Sequence, residues 1–141
     1  MQVTAADFQR DYDAIRGVRF AVFVDEQRID PDIEMDDRDA QCEHVLAWDE
    51  RGEAVGTGRI DFGAGGKVGR VAVLARARRT GVGTVLMETL HELARSRGGI
   101  AAVWCNAQLS AVPFYLGLGY RIVGDRFEEA GIEHVRMERE L

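Results

Sequence analysis

Lysine is nearly missing: Lys67 stands alone among 18 basic residues, the rest being arginine. Proline occurs only as Pro31 and Pro113, and cysteine only as Cys42 and Cys105. Two cysteines this far apart build neither a disulfide framework nor a CxxC metal knuckle, and no metal is expected. Among apolar neighbours they read as buried thiols of a reducing compartment. Basic charge is in deficit, with a formal net charge of -6. That argues against non-specific nucleic-acid binding, which needs a dense basic surface. No apolar run comes near the roughly 18 residues of a membrane span. The opening MQVTAADFQRDYDAIR is polar and acidic, unlike a secretory signal, so a cytoplasmic location is the expectation.

What is present is ordinary for a globular chain: 141 residues, 46% hydrophobic and 30% charged. The length suits one domain over residues 1–141 with a sizeable core. Residues 1–4 read as a short strand, and 5–24 as an amphipathic helix with Phe8, Tyr12, Ile15, Val18, Val22 and Phe23 at helical spacing. DEQRIDPDIEMDDRDAQ, residues 25–41, breaks the periodicity and reads as an acidic loop with one helical turn at most. Residues 43–49 and 53–62 read as a strand pair joined at Glu50-Arg51-Gly52, and 67–74 as a central strand. Residues 79–97 give the clearest helix, with Val82, Val85, Leu86, Leu90 and Leu93 inward and His91 on the outer face. A buried strand over 100–106, a short helix near 110–117 and two strands around Gly131 complete the chain. Helices interleave with a mostly antiparallel sheet, which predicts a mixed α/β domain with helices on both faces.

The densest chemical signal is VAVLARARRTGVGTVLM, residues 71–87. A strand ends, Arg76, Arg78 and Arg79 cluster, and Thr80-Gly81-Val82-Gly83-Thr84 opens a helix. Free N–H groups and the helix dipole at such a start favour an anion, and arginine adds charge-assisted hydrogen bonds. No lysine follows the glycines as a P-loop requires, and Leu86 stands where a dinucleotide fingerprint needs Gly or Ala. The loop therefore reads as a phosphate or pyrophosphate cradle, or as a tight turn that binds nothing.

Arg78-Arg79-Thr80-Gly81-Val82-Gly83 resembles the [Q/R]xxGxG/A signature of the GNAT superfamily of acyl-CoA-dependent N-acyltransferases. RVAVL, residues 70–74, looks like that family's central strand, and NAQLSAVPFYLGLGY, residues 106–120, is similar to its following segment. VRFAVFVDEQ and EEAGIEHVRMEREL look closest to its small bacterial YjcF/ElaA-like branch. The resemblance implies a GNAT-like fold: a six- to seven-stranded sheet whose central strands splay, with Gly69 easing a bulge. It implies acetyl transfer from acetyl-CoA to a primary amine of a small molecule or peptide, by direct attack. The pyrophosphate would rest on the N–H groups of Arg79, Thr80, Gly81, Val82, Gly83 and Thr84, with Arg78 nearby. The pantetheine arm would run along Val71 and Val73, with the Val73 N–H polarising the thioester carbonyl. Asn106 would bond the arm, Phe114 pack beside it, and Tyr115 protonate the leaving thiolate.

The proton acceptor stays open among Glu26, Glu34, Asp36, Asp37, His44 and His134. The resemblance draws Glu26, His44 and His134 to the acceptor cleft. Carboxylates at the cleft mouth would attract a cationic amine. Cys105 borders the pantetheine slot but has no adjacent histidine to activate it for acyl transfer. The final strands of this family often form interfaces, so a homodimer is compatible. Two other readings remain: an enzyme like the acyl-homoserine-lactone synthases, whose chains are longer and lack a crisp RxxGxG loop, and a non-catalytic acyl-CoA-binding domain.

Overall fold

The chain stays extended past residue 4. In the computed structural model, which describes residues 1–141, β1 spans Gln2–Ala6. The expected helix begins later, as α1 (Tyr12–Arg19), and runs on as a π-helical segment, Phe20–Glu26. Asp7 accounts for the delay, because its carboxylate accepts from the N–H groups of Gln9 and Arg10 and closes a local turn. The acidic stretch holds a single helical turn, α2 (Pro31–Glu34), and a 3-10 turn, Asp39–Gln41. Asp30 caps α2 by accepting from the Asp32 N–H at 2.9 Å, and Pro31 supplies a first helical residue that needs no acceptor.

Strands β2 (Glu43–Trp48), β3 (Ala54–Asp61) and β4 (Lys67–Val73) follow as a meander. Then come α3 (Val82–Arg97), β5 (Ala102–Gln108) and α4 (Val112–Gly117). The segment expected as one strand over YRIVGDRFEEA is two pieces, β6 (Arg121–Ile122) and β7 (Phe127–Glu129), parted at Gly124 with φ +94°. The last strand is β8 (Ile132–Glu140). The sheet thus has eight strands rather than six or seven, in the order β1-β2-β3-β4-β5-β8-β6, with β7 also on β8. Every pairing is antiparallel except β4 with β5.

Side chains alternate across the sheet and feed two apolar clusters. Leu86, Met87 and Leu90 of α3 pack with Val45, Val55, Ile60 and Val103 on one face. Val18, Val22, Phe23 and Ile29 meet Ala72 on the other. The buried stripe of α3 is rotated from the expected one. Val85 is 40% exposed, whereas His91, expected at the surface, is fully enclosed. Met87, His91 and Ala94 extend the stripe in its place. Arg139 donates to His91 Nδ1 at 2.7 Å, so Nε2 carries the proton toward the Tyr120 hydroxyl, also at 2.7 Å. Burial and the neighbouring Arg139 hold this imidazole down at about 4, so it packs as a neutral group.

Helix α3 lies close on β3 because β3 offers glycine there. A Cβ at Gly56 would stand 2.9 Å from Leu86 Cδ1 and 3.2 Å from Val82 Cγ1, both in the core. Gly56→Ala is therefore expected to destabilise the protein by about 1–3 kcal/mol, read from the urea midpoint, as over-packing does.

Two irregularities open the sheet. The β3–β4 register shifts between Thr57 and Arg59, and Arg70 sits at φ +50°, so the bulge falls on Arg70 rather than on Gly69. Beside it, β4 and β5 pair only at Lys67↔Trp104 and then splay.

Candidate active site

The splay leaves a cleft of about 780 Å³ between β4, β5, the start of α3, α4 and the π-helical segment. Its β4 wall is an open backbone edge. The Leu74 N–H bonds the Val55 carbonyl at 2.8 Å, on the β3 side. Alternation turns the Val73 N–H the other way, into the splay, and Val71 faces the same edge. Arg78 spans the upper mouth. Its Nε donates to the Val73 carbonyl at 2.9 Å, and its Nη2 to Glu26 Oε1 at 2.7 Å. Two residues 52 apart in sequence are thereby joined. Below them, Gln108 Nε2 donates to Gln27 Oε1 at 2.7 Å. The π-helical segment delivers both Glu26 and Gln27 to the cleft.

Helix α3 starts at the end of this edge. Gly81 is its N-cap at φ +87°, with Arg79 also left-handed at φ +62°, and no side chain caps the helix. The first-turn N–H groups of Val82, Gly83 and Thr84 have no intrahelical acceptor. With Arg78 and Arg79 alongside, this is an electropositive pocket of backbone donors. Gly83 keeps its place because a Cβ there would meet Phe114 Cζ at 3.3 Å. Residues expected to hold a cofactor thus line one cleft: Val71, Val73, Arg78, Arg79, Gly81, Gly83, Thr84, Asn106 and Phe114. Thr80 and Val82 complete the loop, but Thr80 turns its hydroxyl to the Ala77 carbonyl and Val82 is in the core.

Tyr115 comes from α4, is 8% exposed, and lines the same cleft. It is wedged edge-on between Phe114 and Tyr120, with ring centroids 5.2 and 5.3 Å away. Burial pushes its hydroxyl above the usual phenol range, so it stays protonated and able to donate at neutral pH. Burial likewise pushes the Cys105 thiol up to about 12, which keeps it from acting as a nucleophile.

The histidines part company. His134, on β8, lines the cleft and donates from Nδ1 to the Ile132 carbonyl at 2.7 Å, leaving Nε2 3.6 Å from Glu129. His44 is not brought there. It sits on β2 beside a separate cavity of about 450 Å³, under Phe8, and donates from Nε2 to the Asp39 carbonyl at 2.8 Å. Burial lowers its pKa, so it is a neutral packing residue.

The acidic loop is mostly spent on arginines. Asp39 holds both terminal nitrogens of the enclosed Arg19, at 2.8 and 2.9 Å, and one of Arg59 at 2.8 Å. Asp36 holds Arg59 at 2.7 and 2.9 Å and Arg70 at 3.2 Å. Burial alone would raise the Asp36 pKa, but the hydrogen bonds and charge of Arg59 with the charge of Arg70 bring it to about 2. Asp37 is exposed and lies outside the cleft. Glu34 differs: it lines the cleft, and burial raises its carboxyl against the pull of Arg70. Arg70 and the enclosure of Glu34 had no signal in the sequence, because their partners lie more than 30 residues away in the chain.

The acetyltransferase (GNAT) domain family matches residues 11–141. The uncharacterized N-acetyltransferase YjcF of Bacillus subtilis is 39% identical over 125 residues, covering 87% of this chain and 88% of that protein. The crystal structure of Escherichia coli ElaA superposes with a TM-score of 0.87 at 29% identity, covering 99% of this chain and all of that one. An acyl-CoA N-acyltransferase from Pseudomonas aeruginosa gives 0.85 at 27% identity, with 99% of both chains covered. The split sheet, the glycine-capped helix and these matches agree: the chain belongs to the GNAT acetyltransferase family.

Proposed function

We propose that this chain, acting as one domain over residues 1–141, moves an acetyl group from acetyl-CoA to a primary amine by direct attack. The observation that carries the reading is the open edge of β4 leading straight to the bare N-terminus of α3. An acyl-pantetheine arm would add to that edge as a strand, and its pyrophosphate would meet the backbone donors of residues 79–84 beside Arg78 and Arg79. The cleft has room for the arm beside Asn106 and Phe114. The Val73 N–H then faces the carbonyl oxygen and stabilises the negative charge that grows there. Tyr115 supplies a proton to the departing thiolate. Glu26 and His134 border the acceptor side, where the amine would enter.

Gly81→Glu/Gly83→Glu tests the cradle by placing two carboxylates where the phosphates would lie. Calorimetric titration is expected to show acetyl-CoA binding to the wild type and a loss of at least about 100-fold in the variant, since like charge and steric fill act together. Equal binding by both would remove the cradle from the reading.

A further inference from the structure

We propose that the acceptor enters as an ammonium ion carrying an apolar arm, and that Glu34 is the catalytic carboxylate that receives it and takes its proton. This rests on the acyl-transfer reading above. Glu34 ends α2, is 4% exposed, and nevertheless lines the cleft. Its Oε2 is enclosed without any hydrogen bond. Arg70 Nε comes within 3.3 Å but spends its alignment on the Glu34 carbonyl, and Nη2 turns to the Ile33 carbonyl and Asp36. A buried carboxylate oxygen left in this state lacks a donor. An ammonium group offers three. The same cleft also presents apolar side chains to a bound acceptor, among them Val22, Phe23, Ile29 and Ile33.

The other carboxylates of the cleft are worse placed for this work. Glu26 is engaged by Arg78, and Glu129 stands on the rim by His134. The charged groups facing Glu34 are Arg70 from β4, Arg19 from α1, Arg59 from β3 and Asp36 from its own loop. Burial outweighs the three arginines and raises the carboxyl, which makes it a stronger base than an exposed glutamate.

In the step, an ammonium N–H bond breaks and an O–H bond forms on Glu34. The freed nitrogen lone pair forms the C–N bond at the acyl carbon, and the C–S bond breaks. The thiolate takes the Tyr115 proton, and the second proton lost from nitrogen as the amide forms restores that hydroxyl. Glu34 returns its proton to solvent, so the turnover releases one proton.

The test compares wild type, Glu34→Gln and Ile33→Arg, using 2-phenylethylamine, which is cationic at neutrality, and 4-methoxyaniline, which is neutral. Thiol release is followed between pH 6.5 and 9.5, with acetyl-CoA binding measured separately by calorimetry. Glu34→Gln is expected to bind acetyl-CoA as the wild type does and to lose about 100-fold or more in kcat/KM for 2-phenylethylamine at neutral pH. The deficit should narrow as pH rises and be under about tenfold for 4-methoxyaniline, which has no ammonium proton to give up. Ile33 is 47% exposed, so Ile33→Arg leaves the core intact. It is expected to raise KM about tenfold for the cationic amine and little for the neutral one, through charge repulsion at the mouth. Equal losses for both amines, a pH-independent deficit, or full activity of Glu34→Gln would overturn the role. Wild type that binds acetyl-CoA but acetylates neither amine would overturn the substrate class. Wild type that does not bind acetyl-CoA would overturn the acyl-transfer reading beneath it.

Discussion

Asp39→Asn is expected to destabilise the protein by about 3–5 kcal/mol, the cost of breaking a buried ion pair from one side. Arg19 is fully enclosed, and Asp39 is its only carboxylate partner. Its Nε already lacks a hydrogen bond. Removing the Asp39 charge strands that guanidinium, while Arg59 keeps Asp36. The measurement is the shift in urea midpoint at neutral pH, with Asp37→Asn as the exposed control, expected to move less than about 0.5 kcal/mol. A shift of the same small size for both would show that the cluster is relaxed by water. Acid should reach the same weakness. The folded-state pKa values of Asp36 and Asp39 are depressed, so their stabilisation is present above the ordinary carboxylate range. It is lost as pH falls from about 4 toward the Asp36 value of about 2. Glu34, raised instead, opposes stability at neutral pH and recovers its cost on protonation, but it is one group against two.

Tyr115→Phe is expected to lower kcat by about 100-fold or more with little change in acetyl-CoA affinity, as loss of a positioned acid does. The ring is held edge-on by Phe114 and Tyr120, so phenylalanine fills the same space and the fold is retained. In the proposed mechanism the hydroxyl is the proton source for the thiolate, and its deletion removes that alone. The discriminating measurement replaces acetyl-CoA with an acetyl thioester of a more acidic thiol, whose leaving group needs no proton. The deficit should shrink with that donor. A deficit that persists, or a kcat unchanged with acetyl-CoA itself, would make Tyr115 a packing residue.

The glycine-capped start of α3 was legible in the sequence because its cause is local. Gly81 caps α3 with a positive φ and Gly83 clears Phe114, and both needs mark the sequence as glycine. The β4 bulge was legible only in its neighbourhood. Gly69 drew the expectation, but the left-handed residue is Arg70, held there by bonds to a loop 34 to 37 residues away. His91 was misplaced by about one helical step, since a stripe read from apolar residues alone ignores a histidine whose two nitrogens are satisfied in the core. The acidic loop read as solvated or open to a cation. Arg19, Arg59 and Arg70 neutralise most of it, and periodicity does not reveal ion pairs at that separation. His44 shows the limit of a matching position: β2 lies two strands from the cleft edge on β4, and the ring turns to the Asp39 carbonyl beside a separate cavity.

The π-helical turn at Phe20–Glu26 has a consequence for how the gene can vary. An ordinary helix advances about 100° per residue, and the wider turn absorbs extra chain while Val22 and Phe23 stay under Ala72. Dropping one codon from α1, which has no such slack, would swing Glu26 and Gln27 by about 100°, away from Arg78 and Gln108, whereas one dropped from the wider turn is taken up by a return to ordinary winding. The wider turn is therefore the place in this helix where a frame-preserving deletion of one codon does the least harm.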